Sequence, residues 1–295
     1  MTVLLAMFGL VALALPGVRP SVVDPDPRWF VRLATVALVL GIACIGSALA
    51  LSMTVGALHA VTGVADSPAV HLAPEGDLGA WVAAGLLVLF VGRTVAVCAR
   101  AHDRNRCARA DGWLGDHHRD GSHDLVVIPT DRPVAYSVSG RLPQIVISQG
   151  LRQSLDDELL GFVIDHERAH LRARHRRALL VATLVEGLLP FLPWATRSAA
   201  ALRIAVERAA DEEAAGSELG RRRRLALEIE GMSLRLRSAC GTDLVRFRAR
   251  RLSAAPQASS VGIGVAVVGI VAVALAAVSV VAHATGDVSP YLALL

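Results

Sequence analysis

A five-residue motif in the middle of the chain has the spacing of a metal site. Residues 166–170 read His-Glu-Arg-Ala-His. On an α-helix, His166 and His170 share one face, so two imidazoles can reach one metal ion. Glu167 follows the first histidine and is placed to take a proton from an attacking water as general base. The motif predicts metal-assisted hydrolysis, with one Zn²⁺ per chain if a third ligand completes the site. A surface helix with two solvated histidines is the alternative for this motif alone.

An acidic pair further along the chain can complete such a site. Residues 207–214 read Glu-Arg-Ala-Ala-Asp-Glu-Glu-Ala. Catalytic zinc usually has three protein ligands, and Glu207 could be the third beside two histidines. Asp211, four residues later, could accept a hydrogen bond from a ligand imidazole. An ordinary charged helix face has the same spacing, so this pair alone leaves both interpretations open.

The chemistry requires helices and a small sheet to position these residues. The pattern predicts helices over about 154–177 and 197–237, with Ser154 as the N-cap of the first. Residues 101–124 are polar and are predicted to be a linker or loop. Three short runs have strand character: Leu125–Ile128, Ala135–Ser139 and Gln144–Ser148.

The composition points to a membrane protein. Apolar residues make up 54% of the chain and charged residues 19%, which excludes a disordered chain. A spanning helix needs ~20 apolar residues. Four stretches qualify as spans: Thr2–Val18, Val31–Val55, Ala80–Cys98 and Val261–Ala282. A fifth apolar stretch, 178–194, is interrupted by Glu186 and two prolines, and we expect it to be buried or to dip into the bilayer.

The charge distribution predicts how these spans are oriented. All 30 basic residues are arginine. Residues 19–32 hold three arginines and residues 56–79 none, so the positive-inside rule places 56–79 outside the cell. The region between the third and last spans is then cytoplasmic. The expected organisation is a membrane region at 1–98, a cytoplasmic metallopeptidase domain at 99–259, and a span with a short outer tail at 260–295.

The two zinc motifs together resemble a known family. H-E-x-x-H followed by E-x-x-A-D-x-x-A is similar to the BlaR/MecR-type membrane-integral gluzincin metallopeptidases, and HtpX-like membrane proteases share both motifs. The likeness covers about 125–220 and includes three further segments: Arg132–Ser137, Ile145–Leu151 and Pro190–Trp194.

The resemblance implies a zinc endopeptidase that acts on a protein or peptide. It implies His166, His170 and Glu207 as ligands and Glu167 as general base. The strand carrying Ala135, Tyr136 and Ser137 is expected to bind substrate as an added strand. The expected fold class is mainly α: an integral membrane protein with four transmembrane helices and a cytoplasmic α+β zincin-like domain in the inner or plasma membrane.

The substrate class stays open at this stage. The resemblance implies either cleavage of a cytoplasmic transcriptional repressor in signal transduction or HtpX-type quality control of membrane proteins. Only a short tail follows the last apolar stretch, so we do not expect the β-lactam-sensing domain of the BlaR/MecR family. A catalytically silent signalling or scaffold protein is the alternative from another class.

The remaining basic and histidine residues allow several interpretations. Arg221–Arg224, with the arginines of 246–251, predicts contact with anionic lipids, whereas no motif supports direct nucleic acid binding. His175 could assist the site or be a solvated helix end. Arg203 or Arg208 could stabilise an oxyanion or form ion pairs. A second metal site is the less favoured interpretation of three histidines in the predicted loop: His117, His118 and His123.

Overall fold

The computed structural model describes residues 2–17, 26–62, 77–113, 115–120, 123–236, 250 and 252–253. The predicted last span, Val261–Ala282, lies outside these residues, as do 63–76 of the predicted outer loop. The helices are α1 (Thr2–Ala14), α2 (Pro27–Thr62), α3 (Asp77–Gly112), α4 (Gln149–Ser154), α5 (Asp157–Arg172), α6 (His175–Leu188), α7 (Pro193–Ala215) and α8 (Leu219–Leu236). The strands are β1 (Asp116–Asp120), β2 (His123–Ile128), β3 (Ala135–Val138) and β4 (Gln144–Ser148).

Two described helices are long and apolar enough to span a membrane. Their apolar segments run over Pro27–Val55 in α2 and Leu78–Gly112 in α3. The α3 segment exposes large apolar side chains, including Leu78 at 77% and Trp81 at 76%. The predicted first span is the 13-residue helix α1 followed by a short 3-10 turn, which is shorter than a ~20-residue crossing. The four predicted spans are therefore supported only at α2 and α3.

Helices α1 and α2 approach each other closely at two glycines. A Cβ atom on Gly41 would lie 2.9 Å from the carbonyl oxygen of Gly9, and one on Gly9 would lie 3.0 Å from the carbonyl oxygen of Gly41. Small residues at a helix contact allow the backbones to pack at short range, as is common between helices in membranes. Alanine at either position would force α1 away from α2.

A four-stranded sheet follows α3 in the order β1-β2-β4-β3. Strands β2 and β4 are parallel, and the other two pairs are antiparallel. Every residue of the central strand β4 is buried, because its alternate side chains pack on both faces. Ile145 and Ile147 face the side of α4 and α5, and Val146 faces the side of α3. Strand β3 lies at the edge of this sheet.

The prediction of a linker or loop at 101–124 is wrong. Helix α3 continues without a break to Gly112, and β1 then pairs with β2. The alanines and arginines of 100–110 are good helix formers, and Ala108 packs on the sheet, so polarity alone was misleading. Asn105 and Arg109 also donate hydrogen bonds to the carbonyl oxygen of Ser139. Helix α3 therefore joins the apolar region to the sheet as one continuous element.

The two long predicted helices are each divided into two. The first breaks at Ala173 and Arg174, giving α5 and α6, and the second breaks at Gly216, giving α7 and α8. The predicted N-cap is also wrong. Asp156 caps α5 by accepting a hydrogen bond from the backbone N–H of Leu159 at 2.9 Å. Ser154 instead ends the short helix α4, where its hydroxyl donates to the carbonyl oxygen of Leu151.

The doubtful apolar stretch at 178–194 forms one side of a helical hairpin. Ala182 and Val185 of α6 are fully buried in a core shared with α2 and α7. Glu186 is neutralised by Arg203 of α7, with oxygen–nitrogen distances of 2.8 Å and 3.0 Å. Because α6 and α7 turn back on each other at Pro190–Pro193, the chain returns to the side from which it came. The hairpin thus brings α7 back beside α5.

Candidate metal centre

Three side chains from two helices converge on one point between α5 and α7. The Nε2 atoms of His166 and His170 are 3.1 Å apart. Glu207 places its carboxylate oxygens 3.6 Å from His166 Nε2 and 3.8 Å from His170 Nε2. Two ligands ~2.1 Å from a tetrahedral Zn²⁺ lie ~3.4 Å apart, so these separations suit one ion. In the described part of the chain, no other group of three or more potential ligands is found.

Asp211 lies beside His166, on the side of the ring away from Glu207. Its Oδ1 is 3.0 Å from His166 Nδ1, and the residue is only 2% exposed. Burial by itself would lower the pKa of His166, but Asp211 and Glu207 outweigh burial and raise it to about 9. The site thus stabilises a positive charge at this position. A divalent cation fits this donor set, because it would supply that charge while His166 stays neutral.

His175 is a further member of the site, and the interpretation as a solvated helix end is wrong. It is 4% exposed, and its Nδ1 lies 3.1 Å from Nδ1 of His170. Burial, followed by the nearby His170, lowers the pKa of His175 to about 4, so the ring is neutral at pH 7. Each ligand histidine therefore has a buried polar partner on its second nitrogen. The only indication of this contact in the sequence was that His175 follows His170 by five residues. That spacing brings the two rings together only because the chain turns at Arg174.

Glu167 points from α5 toward the edge strand. Burial raises the pKa of its carboxyl group, while His166 and hydrogen bonds from the side chain and backbone of Ser137 act in the opposite direction. A raised carboxyl pKa suits a group that takes up a proton and gives it back during one reaction. Ser137 thus connects the predicted general base with the strand that is predicted to bind substrate.

The hydrogen-bonding pattern of β3 turns alternate backbone groups away from β4, on the side of α5. The backbone N–H of Ser148 donates to the carbonyl oxygen of Val134 at 2.9 Å, so Val134 and Ser148 form a hydrogen-bonded pair. Pairs alternate in an antiparallel ladder, and the backbone groups of Ala135 and Ser137 therefore point away from β4. Tyr136 turns its side chain to the opposite face, where its hydroxyl donates to the carbonyl oxygen of Ala108 at 3.4 Å. Its ring is thus directed away from α5.

Other residues singled out in the sequence have structural roles. Arg203 pairs with Glu186 in the hairpin, which agrees with the ion-pair alternative. His117 and His118 are neighbours on β1 and point to opposite faces, while His123 begins β2. Arg222, from the predicted lipid-binding run, is 1% exposed and holds Glu212 at 2.7 Å. Arg222 also donates to the carbonyl oxygen of Leu252, so it fixes the chain after α8 and is unavailable to lipid.

The fold and site define a class of protein: a mainly helical chain with a small sheet, in which two histidines and one glutamate could hold a metal ion. Residues 104–215 match the model of peptidase family M48, a family that is in general zinc-dependent. The matched segment contains all the ligands, both of their partners, the sheet and the hairpin. It supports a zinc metallopeptidase, which acts on a protein or peptide substrate. No curated protein and no solved structure matches the chain.

Proposed function

We propose that this protein is a membrane-anchored zinc endopeptidase that cleaves a protein substrate at the cytoplasmic membrane face. The convergence of His166, His170 and Glu207 next to an outward-facing strand edge carries the proposal. A bound Zn²⁺ would polarise the scissile carbonyl and make a water molecule more acidic. The two histidine ligands keep their orientation because Asp211 and His175 each hold the second ring nitrogen.

Glu167 performs the proton transfers in this mechanism. Its carboxylate takes a proton from the attacking water and then delivers it to the leaving amine. The raised pKa brings the carboxyl group closer to the pH at which both transfers are efficient. Ser137 holds the carboxyl group toward the strand edge, so the proton carrier stays beside the peptide being cleaved.

Strand β3 supplies the peptide-binding surface. The outward N–H and C=O groups of Ala135 and the C=O of Ser137 would pair with the backbone of an extended substrate, whereas the Ser137 N–H donates to Glu167. Backbone pairing aligns a peptide without demanding a particular side chain, and it places the scissile bond beside α5. Tyr136 contributes its backbone alone, because its ring lies on the far face of the sheet.

Membrane anchoring follows from the two long apolar helices and from the arginine distribution. Helix α3 exposes apolar side chains up to Val95 and becomes basic from Arg100, which is the pattern of a helix that leaves a bilayer on the cytoplasmic side. The close packing of α1 on α2 is consistent with this arrangement. The proposed domain limits stay at 98–99, within the continuous helix α3, and at 259–260, outside the described residues. The active site would then lie near the inner membrane surface.

The substrate decides between the two protease interpretations. Regulated cleavage of a transcriptional repressor would make this a BlaR/MecR-type signal transducer, whereas cleavage of damaged membrane proteins would make it an HtpX-type quality-control protease. Proteomics of cells that express wild-type or Glu167→Gln protein tests both. A cytoplasmic regulator cleaved only by the wild type supports signalling, and a set of membrane proteins supports quality control.

The matched control is Glu158→Gln, which makes the same charge change on the same helix. Glu158 is exposed, lies 3.6 Å from Arg224 and is in the first turn of α5, two turns before His166. We expect Glu158→Gln to cleave like the wild type and Glu167→Gln to retain zinc without cleaving. Equal cleavage by the Glu167→Gln protein would overturn the mechanism, and a purified wild type without zinc would favour the silent scaffold.

A further inference from the structure

A large cavity opens between α3 and α6, beside the metal centre but separate from it. Its volume is about 1160 Å³. Val97 on α3 and Leu179 and Leu180 on α6 line one end. The other end is lined by five arginines: Arg100, Arg104, Arg174, Arg176 and Arg177. None of the residues assigned to the peptidase mechanism lines this cavity.

The charge of the cavity is strongly unbalanced. Glu186 is the only acidic residue in the lining, and its carboxylate is engaged by Arg203 through both oxygens. Within the described ranges, no carboxylate lies within 4.0 Å of Arg104, Arg174 or Arg177. Burial and the neighbouring Arg109 lower the pKa of Arg176, as expected where like charges are crowded. A bound anion would relieve this repulsion.

The backbone at the mouth of the cavity is strained. Arg174 has φ 53° and ψ 38°, and it is the only non-glycine residue with positive φ in the described part of the chain. A left-handed conformation is unfavourable for an arginine, and such strain often marks a functional position. The turn brings Arg174, Arg176 and Arg177 to one face. It also starts α6 at His175, the partner of the ligand His170.

The cavity is polarised in the same direction as the proposed membrane. The arginine end lies beside the sheet, because Ser139 and Gly140 also line the cavity. The apolar end extends toward Gly187, whose carbonyl oxygen accepts a hydrogen bond from Arg93 at 3.4 Å. Arg93 and Val97 lie within the predicted third span, Ala80–Cys98, whereas Arg100 and Arg104 lie beyond it, so this end is the deeper one in the proposed membrane. The cavity is rich in arginine at the inner interface, and its deeper part combines apolar side chains with Thr183 and with Glu186, which pairs with Arg203.

We propose that this cavity binds an anionic phospholipid of the inner leaflet, with the phosphate among the five arginines and an acyl chain along Val97, Leu179 and Leu180. Arginine is well suited to phosphate because its planar fork donates two parallel hydrogen bonds. An acidic peptide would satisfy the charges but would leave the apolar end unfilled, which favours a lipid. The inference rests on the membrane location in the proposed function, not on the peptidase activity.

Lipid retention by the purified full-length protein tests the proposal. The protein in detergent is titrated with phosphatidylglycerol or phosphatidylcholine of identical acyl chains, and bound lipid is counted by native mass spectrometry. We expect the wild type to prefer phosphatidylglycerol. Removing two charges with Arg104→Gln/Arg177→Gln should weaken phosphatidylglycerol binding about 25-fold, as expected for two arginines near a membrane surface.

The matched control is Arg119→Gln/Arg152→Gln, which removes two exposed arginines outside the cavity. We expect this variant to bind phosphatidylglycerol within about twofold of the wild type. Circular dichroism and zinc content verify folding. If the cavity double variant does not fold, the two single variants are tested instead, and each is expected to bind phosphatidylglycerol about fivefold more weakly than the wild type.

Several results would overturn the proposal. The first is an equal loss of phosphatidylglycerol binding in the cavity variant and the control variant. The second is equal binding of phosphatidylglycerol and phosphatidylcholine by the wild type. The third is displacement of the lipid by glycerol phosphate or by a glutamate-rich peptide at a concentration similar to that of the lipid. The Glu167→Gln protein should bind phosphatidylglycerol like the wild type. If lipid binding discriminates as expected but no substrate is cleaved, only the proposed peptidase function fails. If cleavage occurs without selective lipid binding, only the lipid site fails.

Discussion

Replacing Asp211 by asparagine tests whether this buried carboxylate positions His166. Asparagine keeps the size and one acceptor oxygen of aspartate but removes its charge. Asp211 lies 3.0 Å from His166 Nδ1 and is 2% exposed, so water screens this contact little. A hydrogen bond with a charged partner contributes about 1.5–3 kcal/mol, and a neutral one about 0.5–1.5 kcal/mol. The expected loss is about 1–1.5 kcal/mol, or about tenfold in zinc affinity.

Asp211→Ala removes the whole interaction and should cost more. The ligand imidazole then has no acceptor on Nδ1, and the expected loss approaches the ~100-fold end of the range for partners of metal ligands. Zinc affinity is measured by competition with a fluorescent chelator, with helix content by circular dichroism as the folding check. Activity should fall in the same order as affinity in the two variants.

Glu213→Gln is the matched control for charge. Glu213 lies on the same helix, but it is partly exposed and contacts Arg28 and Arg172 at 3.7 Å and 3.6 Å. Because exposed ion pairs contribute ~0–1 kcal/mol, this variant should bind zinc like the wild type. Wild-type affinity in Asp211→Asn, or an equal loss in Glu213→Gln, would refute the assigned role of Asp211.

Three further changes examine other parts of the structure. His175→Ala should weaken zinc binding by ~10–100-fold, and His175→Asn should retain part of the wild-type zinc affinity. Unchanged affinity in the alanine variant would contradict a role of His175 in holding His170. Arg174→Val should be less stable than Arg174→Gly by about 1–2 kcal/mol, because glycine accepts a positive φ and valine does not, and equal melting temperatures would argue against this backbone conformation. Single cysteines at Arg119 and Ser217, in a background without native cysteines, should label from the cytoplasmic side only, whereas labelling from opposite sides would show that 178–194 crosses the membrane and would rule out a shared site.

The residues of the candidate metal centre could be proposed from the sequence, because their spacing follows from helix geometry. Residues four apart on a helix share a face, so His166 and His170 had to point together if the segment was helical. Glu207 and Asp211 follow the same rule on α7. Strand β4 was also predictable from its run of β-branched residues and has the bounds that the sequence indicated, and β3 was predictable from a shorter segment with Tyr136 and Val138. The spacing of residues along single helices and strands is enough to predict these features.

Only the tertiary structure decided which side chains meet. The distance between α5 and α7 depends on the α6–α7 hairpin, whose two helices pack through alanines and valines that carry no positional signal of their own. The partnership of His175 with His170 requires the left-handed turn at Arg174, which local propensity disfavours and packing imposes. Helix α3 continues through a polar segment because Asn105, Ala108 and Arg109 find contacts on the sheet. The arginine cavity likewise arises from residues 70 or more positions apart in the chain. Helical periodicity fixes neighbours within a few turns, whereas packing energy decides every contact beyond them.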